Sequence, residues 1–230
     1  MNKVQFYFDC VSPWSYVAFQ VIRRYQSAWN LDITYKPINL GYVMKYSGNK
    51  PPISVPNKGA WMWGERDRAA VFYGVTLNPT KEFPINTQYV QTFLRTVSDL
   101  APSELERAIE VMYAAIWHDD LPVATLQDLD AIVSKSSLFK QTQGQGQGGG
   151  SIKDQILEKA FAKETKVNLA KESQDLAENK GAFGMPWIIT TRAKDGKEQA
   201  WFGSDRFEQI AAWLHVPYKG PFADGSVAKL

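Results

Sequence analysis

The hydroxyl groups best placed to do chemistry lie in the segment SPWS, residues 12–15. An apolar and aromatic run precedes it at residues 4–8 and predicts a buried strand. Pro13 is favoured at the first position of a helix, and Ser12 before it is a favoured helix cap. Ser12 and Ser15 also have the spacing of a Cys-x-x-Cys dithiol, although neither residue is a cysteine. The spacing therefore predicts a redox-type strand-to-helix turn that has hydroxyls in place of thiols.

A hydroxyl at a helix start can stabilise an anion that a ligand supplies. The first backbone N–H groups and the positive end of the helix dipole favour negative charge there. A free thiol has a pKa of about 8.5, and each unit of depression corresponds to about 1.4 kcal/mol. One hydrogen bond from Ser12 to a thiolate contributes about 1.5–3 kcal/mol, enough to ionise a bound thiol near neutral pH. The alternative from this segment alone is that Ser12 only caps a helix.

The segment GAFGMPW, residues 181–187, has a backbone suited to a peptide ligand. Pro186 directly precedes a predicted strand, where proline is confined to first or edge positions. Met185 before it would offer its backbone edge to an extended peptide, as in strand addition.

The segment FGSDRFEQ, residues 202–209, has a polar cluster at a predicted helix start. A helix N-terminus can hold a carboxylate, while Asp205 can pair with an ammonium group. With Ser204 and Arg206 beside it, the cluster suits an amino-acid zwitterion. The alternative is an ordinary capped helix with a solvated charge pair.

Composition indicates a folded protein with no basic surface for nucleic acid. The 230 residues are 44% hydrophobic and carry a formal net charge of +2. No apolar run is long enough for a membrane span. Cys10 is the single cysteine, which excludes an internal disulfide and a dithiol oxidoreductase, and we expect its thiol to be part-buried and inert. His118 and His215 lack neighbours at metal-ligand spacing, so we predict neither a metal site nor a cofactor.

The two ends of the chain predict an α/β fold. A strand at 4–8, a helix at 14–29 and a strand at 31–37 form a β-α-β unit, which favours parallel pairing. Strand patterns return at 187–191 and 199–202, and a last helix ends at residue 214. Together the ends, residues 1–60 and 181–230, predict a thioredoxin-like domain.

The middle of the chain, residues 61–180, predicts an all-helical inserted domain. A proline-rich loop at 47–59 comes first. Helical patterns then follow at 61–73, 87–100, 103–118, 126–134 and 152–180. Ser103 with Glu106 predicts one capping box, and Asp205 with Glu208 predicts another at the last helix. The Gln/Gly tract at 141–150 predicts a mobile linker.

Four segments together resemble the kappa-class glutathione transferases. They are FDCVSPWSYVAF, YSGNKPP, GAFGMPW and FGSDRFE, and they occur in that family's order and spacing. The resemblance runs from about residue 3 to the C-terminus. It implies a homodimer of thioredoxin-like domains with helical insertions. It also implies glutathione as cosubstrate and a small hydrophobic electrophile or a peroxide as second substrate.

The resemblance implies a role for each matched residue near the glutathione sulfur and glycine. Ser12 matches the serine that hydrogen-bonds and activates the sulfur. Asn49 matches a contact near the glycyl and cysteinyl parts, and Lys58 is expected beside the glycyl carboxylate. Met185, ahead of a cis Pro186, matches the residue whose backbone pairs with the cysteinyl group.

The remaining implied roles concern the other end of glutathione and the electrophile. Ser204, Asp205 and Arg206 match the cluster around the γ-glutamyl end, and the resemblance implies that the partner subunit supplies part of that cluster. The candidates for the electrophile pocket are Trp14, Trp61 and Trp63.

Two other functions and a location follow from the same residues. 2-Hydroxychromene-2-carboxylate isomerases share the expected fold and serine, and a glutathione- or peptide-binding module without turnover is the non-enzymatic alternative. The C-terminal Ala228-Lys229-Leu230 is close to the peroxisomal Ser-Lys-Leu signal, so we predict a peroxisomal location, with mitochondrial and cytosolic locations as alternatives. The N-terminus lacks the apolar segment of a signal peptide.

Overall fold

A four-stranded mixed sheet brings the two ends of the chain together. The computed structural model describes residues 1–140 and 151–227. Within them the strands are β1 (Asn2–Phe8), β2 (Leu31–Pro37), β3 (Trp187–Thr191) and β4 (Glu198–Phe202). Their order is β2-β1-β3-β4, with β1 parallel to β2 and antiparallel to β3. This topology confirms the predicted thioredoxin-like fold with a helical insertion.

Helices cover both faces of this sheet. In the described part of the chain they are α1 (Pro13–Tyr25), α2 (Leu40–Ser47), α3 (Pro56–Tyr73), α4 (Gln88–Leu100), α5 (Leu105–Trp117), α6 (Leu126–Lys135), α7 (Ile152–Phe161), α8 (Lys163–Lys180) and α9 (Phe207–Leu214). Side chains alternate along β1, because successive residues of a strand point to opposite faces. Phe6 and Phe8 enter the large core with α1, α4 and α5, whereas Tyr7 enters a smaller core with α2 and α8.

The predicted elements on either side of β2 differ from the observed ones. Helix α1 ends at Tyr25 and not at residue 29, because the chain turns at Asn30, which has a φ of 51°. Trp29 fits the apolar pattern of the helix, but it is buried for a different reason: its indole N–H donates to the Pro217 carbonyl at 2.8 Å. Helix α2, capped by Asn39, is absent from the prediction: Val43 is its one buried residue, so it lacks a buried apolar stripe.

Helix α3 also differs from the prediction at its start. It begins at Pro56, inside the predicted loop at 47–59 and ahead of the predicted domain boundary at residue 60. Residues 52–54 within that loop form a 3₁₀ turn. The division into domains at residues 60 and 181 stays a prediction.

The predicted continuous helix over 152–180 is two helices. Ala162 is extended, with a φ of −61° and a ψ of 143°, and separates α7 from α8. At the break the Lys159 carbonyl accepts two hydrogen bonds, from the Ala162 N–H at 3.2 Å and from the Thr165 hydroxyl at 2.7 Å. The break lets α7 pack against α4 while α8 packs against α2.

Neither predicted capping box forms. Helix α5 starts at Leu105 after a 3₁₀ turn, and Glu106 accepts hydrogen bonds from Arg23 and Tyr35. Helix α9 has Arg206 at its cap position without a side-chain capping bond. Glu106 thus has its partners outside its helix start, as tertiary contacts decide, whereas Asp205 pairs with its neighbour Arg206 at 2.7 Å.

Two predictions fall outside the described residues: the linker at 141–150 and the C-terminal tripeptide at 228–230. The peroxisomal location therefore stays a prediction. No helix in the described ranges is both long and apolar enough to cross a membrane.

Candidate active site

The start of α1 holds the Ser12 hydroxyl between two backbone groups. Ser12 is the cap residue, and its oxygen accepts a hydrogen bond from the Ser15 N–H at 3.2 Å. The same hydroxyl donates to the Met185 carbonyl oxygen, also at 3.2 Å. Ser12 is buried, and Pro13 follows it at the first helical position, so the predicted cap is observed.

Met185 and Pro186 face this turn across the sheet. The peptide bond between them is cis, as the expected fold required. Met185 is buried and lines the cleft described below, whereas the Pro186 carbonyl accepts a hydrogen bond from the Gly203 N–H at 3.1 Å. The Gly203 bond connects the Met185 segment to the segment that contains Ser204.

A cleft with two adjoining lobes opens above Ser12. The main lobe, of about 720 Å³, contains Ser12 and Asn49, and the side lobe, of about 460 Å³, contains Ser204 and Asp205. The two lobes share six lining residues: Trp14, Pro52, Lys58, Met62, Met185 and Phe202. The cleft therefore brings together motifs from both ends of the chain.

Asn49 ties the loop after α2 to the Met185 segment. Its side-chain amide donates to the Phe183 carbonyl at 2.6 Å, and its amide oxygen accepts from the Lys50 N–H at 2.8 Å. Lys58, in the first turn of α3, is exposed at the junction of the lobes. Two lysines, Lys50 and Lys58, thus border the main lobe.

The side lobe has an acidic end. Asp205 and Glu65 line it together with Tyr73, whose hydroxyl donates to the Ser204 carbonyl at 3.4 Å. Burial, followed by the charges of Asp205 and Glu65, raises the pKa of Tyr73. Asp205 pairs with Arg206 at 2.7 Å, and the Arg206 side chain does not line either lobe. The charges at this end suit a cationic ligand group.

Of the three tryptophans predicted for the electrophile pocket, two line the cleft and one does not. Trp14 borders both lobes, and Trp61, which is 61% exposed, borders the side lobe. Trp63 lines neither, because its ring packs edge-on against Phe83 at 4.9 Å between centroids. Phe83 itself lines the main lobe.

The sequence did not reveal most of the apolar wall of the main lobe. Side chains from three separate segments form it, among them Met44, Ile53, Phe83 and Ile85. These residues have no shared motif or spacing, so only the fold identifies them. A weak signal existed for one further residue, Asp9, because an acidic side chain directly follows the apolar strand.

Asp9 is a buried carboxyl group that lines the main lobe. Burial raises its pKa, while hydrogen bonds from Thr87, from the Leu40 and Val11 N–H groups and from the Gln91 side chain act in the opposite direction. Cys10 beside it is fully buried, deeper than predicted, and burial with the Asp9 charge raises the thiol pKa well above its ordinary value. Such a thiol is unreactive at neutral pH.

In the ranges that the structure describes, no group of three His, Cys, Asp or Glu side chains is arranged to hold a metal ion.

Comparison with known proteins places this geometry in a family. The DsbA-like thioredoxin domain family matches residues 3–215. The chain is 30% identical over 234 residues to human glutathione S-transferase kappa 1, covering 100% of this chain and 98% of that protein. The Caenorhabditis elegans protein of the same name is 30% identical over 227 residues, covering 96% and 94%.

A solved structure of 2-hydroxychromene-2-carboxylate isomerase has the same fold. It superposes with a TM-score of 0.71 at 20% identity, covering 93% of this chain and 94% of that one.

Proposed function

Because the chain belongs to the DsbA-like thioredoxin family and, within it, to the kappa-class glutathione transferases, we propose that Ser12 activates the thiol of bound glutathione for attack on a small electrophile. The observation that carries this proposal is the position of the Ser12 hydroxyl. It lies at the start of α1, 3.2 Å from the Met185 carbonyl, where a redox relative would have a thiol.

The two hydrogen bonds of Ser12 suggest how the hydroxyl changes partner. In the structure the hydroxyl donates its proton to the Met185 carbonyl. The cysteinyl N–H of a bound peptide can donate to that carbonyl in its place, as in strand addition. The Ser12 proton is then free to turn to the sulfur, while the Ser15 N–H still holds the oxygen.

This exchange supplies enough free energy to ionise the thiol. A hydrogen bond to a charged group contributes about 1.5–3 kcal/mol. One pKa unit corresponds to about 1.4 kcal/mol, so the thiol pKa falls from about 8.5 by one to two units. The dipole at the start of α1 favours the anion further.

The thiolate then attacks a carbon that bears a leaving group. With an aryl halide, a carbon–sulfur bond forms, the carbon–halogen bond breaks, and halide leaves with the electron pair. The thiol proton has already gone to solvent, so the products are the thioether, halide and a proton. The contribution of the protein is thiolate stabilisation and proximity.

Glutathione fits the cleft as an extended chain across Met185. We assign its glycyl carboxylate to Lys58 and Asn49 in the main lobe. We assign its γ-glutamyl ammonium to the acidic end of the side lobe, beside Ser204 and Asp205. The apolar wall that includes Met44, Ile53 and Phe83 then faces the electrophile, which favours uncharged hydrophobic substrates.

The test is Ser12→Ala with glutathione and 1-chloro-2,4-dinitrobenzene. We expect kcat/KM at pH 6.5 to fall about tenfold to a hundredfold, because the lost bond is worth about 1.5–3 kcal/mol. The pKa of the bound thiol, followed by thiolate absorbance, should rise by one to two units. The cap bond to the Ser15 N–H is also lost, so we expect a loss of stability of about 1 kcal/mol.

Ser15→Ala is the matched control. Ser15 is a buried serine of the same turn that does not line the cleft, and its backbone N–H survives the substitution. We expect its kinetics and thiol pKa to equal those of the wild type. If Ser12→Ala also left both quantities unchanged, the role proposed for Ser12 would be wrong.

A glutathione-dependent isomerase is the second candidate. One observation favours it: Lys50 and Lys58 both border the main lobe, and glutathione supplies only one carboxylate there. The second ammonium could hold a carboxylate on the substrate. Turnover of 2-hydroxychromene-2-carboxylate that is faster than turnover of the aryl halide would favour this candidate over the transferase.

We also propose that the protein is a homodimer. Large apolar side chains are exposed on α3, with Trp61 at 61%, Phe72 at 56% and Val71 at 45%. Because Trp61 borders the side lobe, a partner covering this face would help enclose the glutathione site.

A further inference from the structure

The turn that presents Ser12 is held by an unusual buried carboxylate. Asp9 is 1% exposed, and three uncharged donors satisfy it. The Val11 N–H donates to Oδ1 at 3.1 Å, the Thr87 hydroxyl to Oδ1 at 2.6 Å, and the Leu40 N–H to Oδ2 at 2.8 Å. Burying a carboxylate is costly unless it is well hydrogen-bonded, so these three bonds compensate for a large desolvation cost.

Each donor comes from a different segment around the main lobe. Val11 belongs to the Ser12 turn itself, and Leu40 is the first residue of α2. Thr87 is the residue before α4, and its side chain makes no capping bond to that helix. The hydroxyl of Thr87 is therefore committed to Asp9 and not to its own helix.

The inserted helices hold the same turn by two further side chains. The Gln91 amide of α4 donates to the Phe8 carbonyl at 3.2 Å. The Trp117 indole at the end of α5 donates to the Cys10 carbonyl at 2.9 Å. The backbone turn closes with the Ser12 N–H donating to the Asp9 carbonyl at 3.0 Å. The helical insertion is thus hydrogen-bonded directly to three consecutive residues of this segment, Phe8, Asp9 and Cys10.

We propose that Asp9 and Thr87 form a positioning pair through which the helical insertion fixes the Ser12 hydroxyl for thiolate stabilisation. The proposal rests on the function proposed for Ser12. Asp9 and Thr87 do not act on the sulfur themselves; they act through the turn. A displacement of a few tenths of an ångström is enough to weaken a hydrogen bond to the thiolate, so the turn must be held on more than one side.

The test uses Thr87→Val, which deletes one hydroxyl and keeps the Asp9 carboxylate. We expect kcat/KM for 1-chloro-2,4-dinitrobenzene at pH 6.5 to fall about threefold to tenfold. Below the pKa of the bound glutathione thiol, the thiolate fraction sets the rate. The same fall therefore corresponds to a rise in that pKa of about half a unit to one unit. The Kd of glutathione should stay within twofold, since its peptide contacts are unchanged.

Thr96→Val is the matched control. Thr96 is a buried threonine of α4 whose hydroxyl donates to the Thr92 carbonyl at 2.8 Å, inside its own helix. We expect it to lower the melting temperature while leaving kcat/KM and the thiol pKa at wild-type values. If Thr87→Val behaved like Thr96→Val in all three measurements, Thr87 would be merely structural and the proposal would be overturned.

Amide hydrogen exchange tests the pair without glutathione. In Thr87→Val the carboxylate loses a donor, so we expect exchange at Val11 and Leu40 to speed up about tenfold, with no such change in Thr96→Val. A wild-type protein that fails to bind glutathione would overturn the proposed function. The positioning pair would then be judged on exchange alone, and unchanged exchange in Thr87→Val would overturn it.

Discussion

Ser12 and Asp9 are each held by a hydrogen bond to a residue far away along the chain. The Ser12 hydroxyl reaches Met185, 173 residues away, and the Asp9 carboxylate reaches Thr87, 78 residues away. In the function proposed above, the acceptor of the first bond, the Met185 carbonyl, instead accepts an N–H of the peptide ligand. The second bond holds the backbone turn that contains Ser12. Both residues are buried, so both bonds are made out of contact with bulk water.

The buried Asp9 carboxyl predicts a specific pH dependence of stability. Burial raises its pKa above the ordinary value of 3.8, so the folded protein holds this proton more tightly than the unfolded chain. The contribution of Asp9 to stability is therefore full below that value and is lost as pH rises through the folded-state pKa. Relative to Asp9→Asn, the wild type should lose free energy of unfolding as pH rises above about 4, by at most about 1.4 kcal/mol per pH unit.

Urea unfolding of both proteins across this pH range measures the difference. The asparagine also disturbs the hydrogen bonds to Asp9, but that cost does not vary with pH. Ser15→Ala removes no titrating group, so its difference from the wild type should be constant. A constant difference for Asp9→Asn as well would mean that the Asp9 pKa is the same in the folded and unfolded states.

At the scale of elements, the segment between α3 and α4 forms one part of the apolar wall of the main lobe. Its side chains Phe83, Pro84 and Ile85 line the cleft, and Phe83 packs on Trp63 of α3. Phe83 also lies 6.4 Å from the ring of Trp117 in α5. The wall is therefore supported by helices of the insertion.

Phe83→Ala should weaken binding of the electrophile alone. Full burial of a phenylalanine side chain is worth about 1.5–3 kcal/mol, and partial loss of that contact should raise the KM of an apolar aryl halide about threefold to tenfold. The KM of glutathione should stay within twofold. Steady-state kinetics with each substrate varied in turn provide the measurement.

Leu126→Ala is the control for Phe83→Ala, because it removes an exposed apolar side chain at the start of α6 outside both lobes. Equal changes in both KM values for Phe83→Ala would indicate a general distortion of the cleft and would contradict the separate electrophile wall.

At the scale of the whole molecule, the exposed apolar face of α3 is the feature that a single chain leaves unexplained. Large exposed apolar patches mark interaction sites. A two-fold dimer would bury the same face of both copies and bring each partner close to the other's side lobe. The proposed dimer and the proposed site are therefore coupled.

Phe72→Glu should break the dimer. Sedimentation equilibrium of the wild type should give twice the 26.0 kDa of the chain. Because of the two-fold symmetry, the substitution places two new carboxylates in an apolar interface. We therefore expect the dimer Kd to rise at least about tenfold. Leu121→Glu, at a side chain that is 39% exposed outside both lobes, should remain dimeric. A wild type that sediments as a monomer at micromolar concentration would contradict the dimer.

Much of the fold was predictable because its signals are local. The apolar and aromatic run of β1 and the Ser12 cap with Pro13 after it each depend on a few neighbouring residues. The break at Ala162 was not predictable, because the residues on both sides are good helix formers and tertiary packing imposes the extended conformation there.

The sequence by itself determined which chemical groups are present: a hydroxyl in place of a thiol at a helix start, a proline before a strand, and a charged cluster at a second helix start. Only the tertiary structure decided that these groups border one cleft, that Trp63 lies outside it and that Asp9 lies beneath it. The physical reason is the distance along the sequence over which each interaction acts. Caps, turns and periodic patterns are settled within a few residues, whereas a buried hydrogen bond such as that between Thr87 and Asp9 exists only once the helical insertion has packed against the sheet.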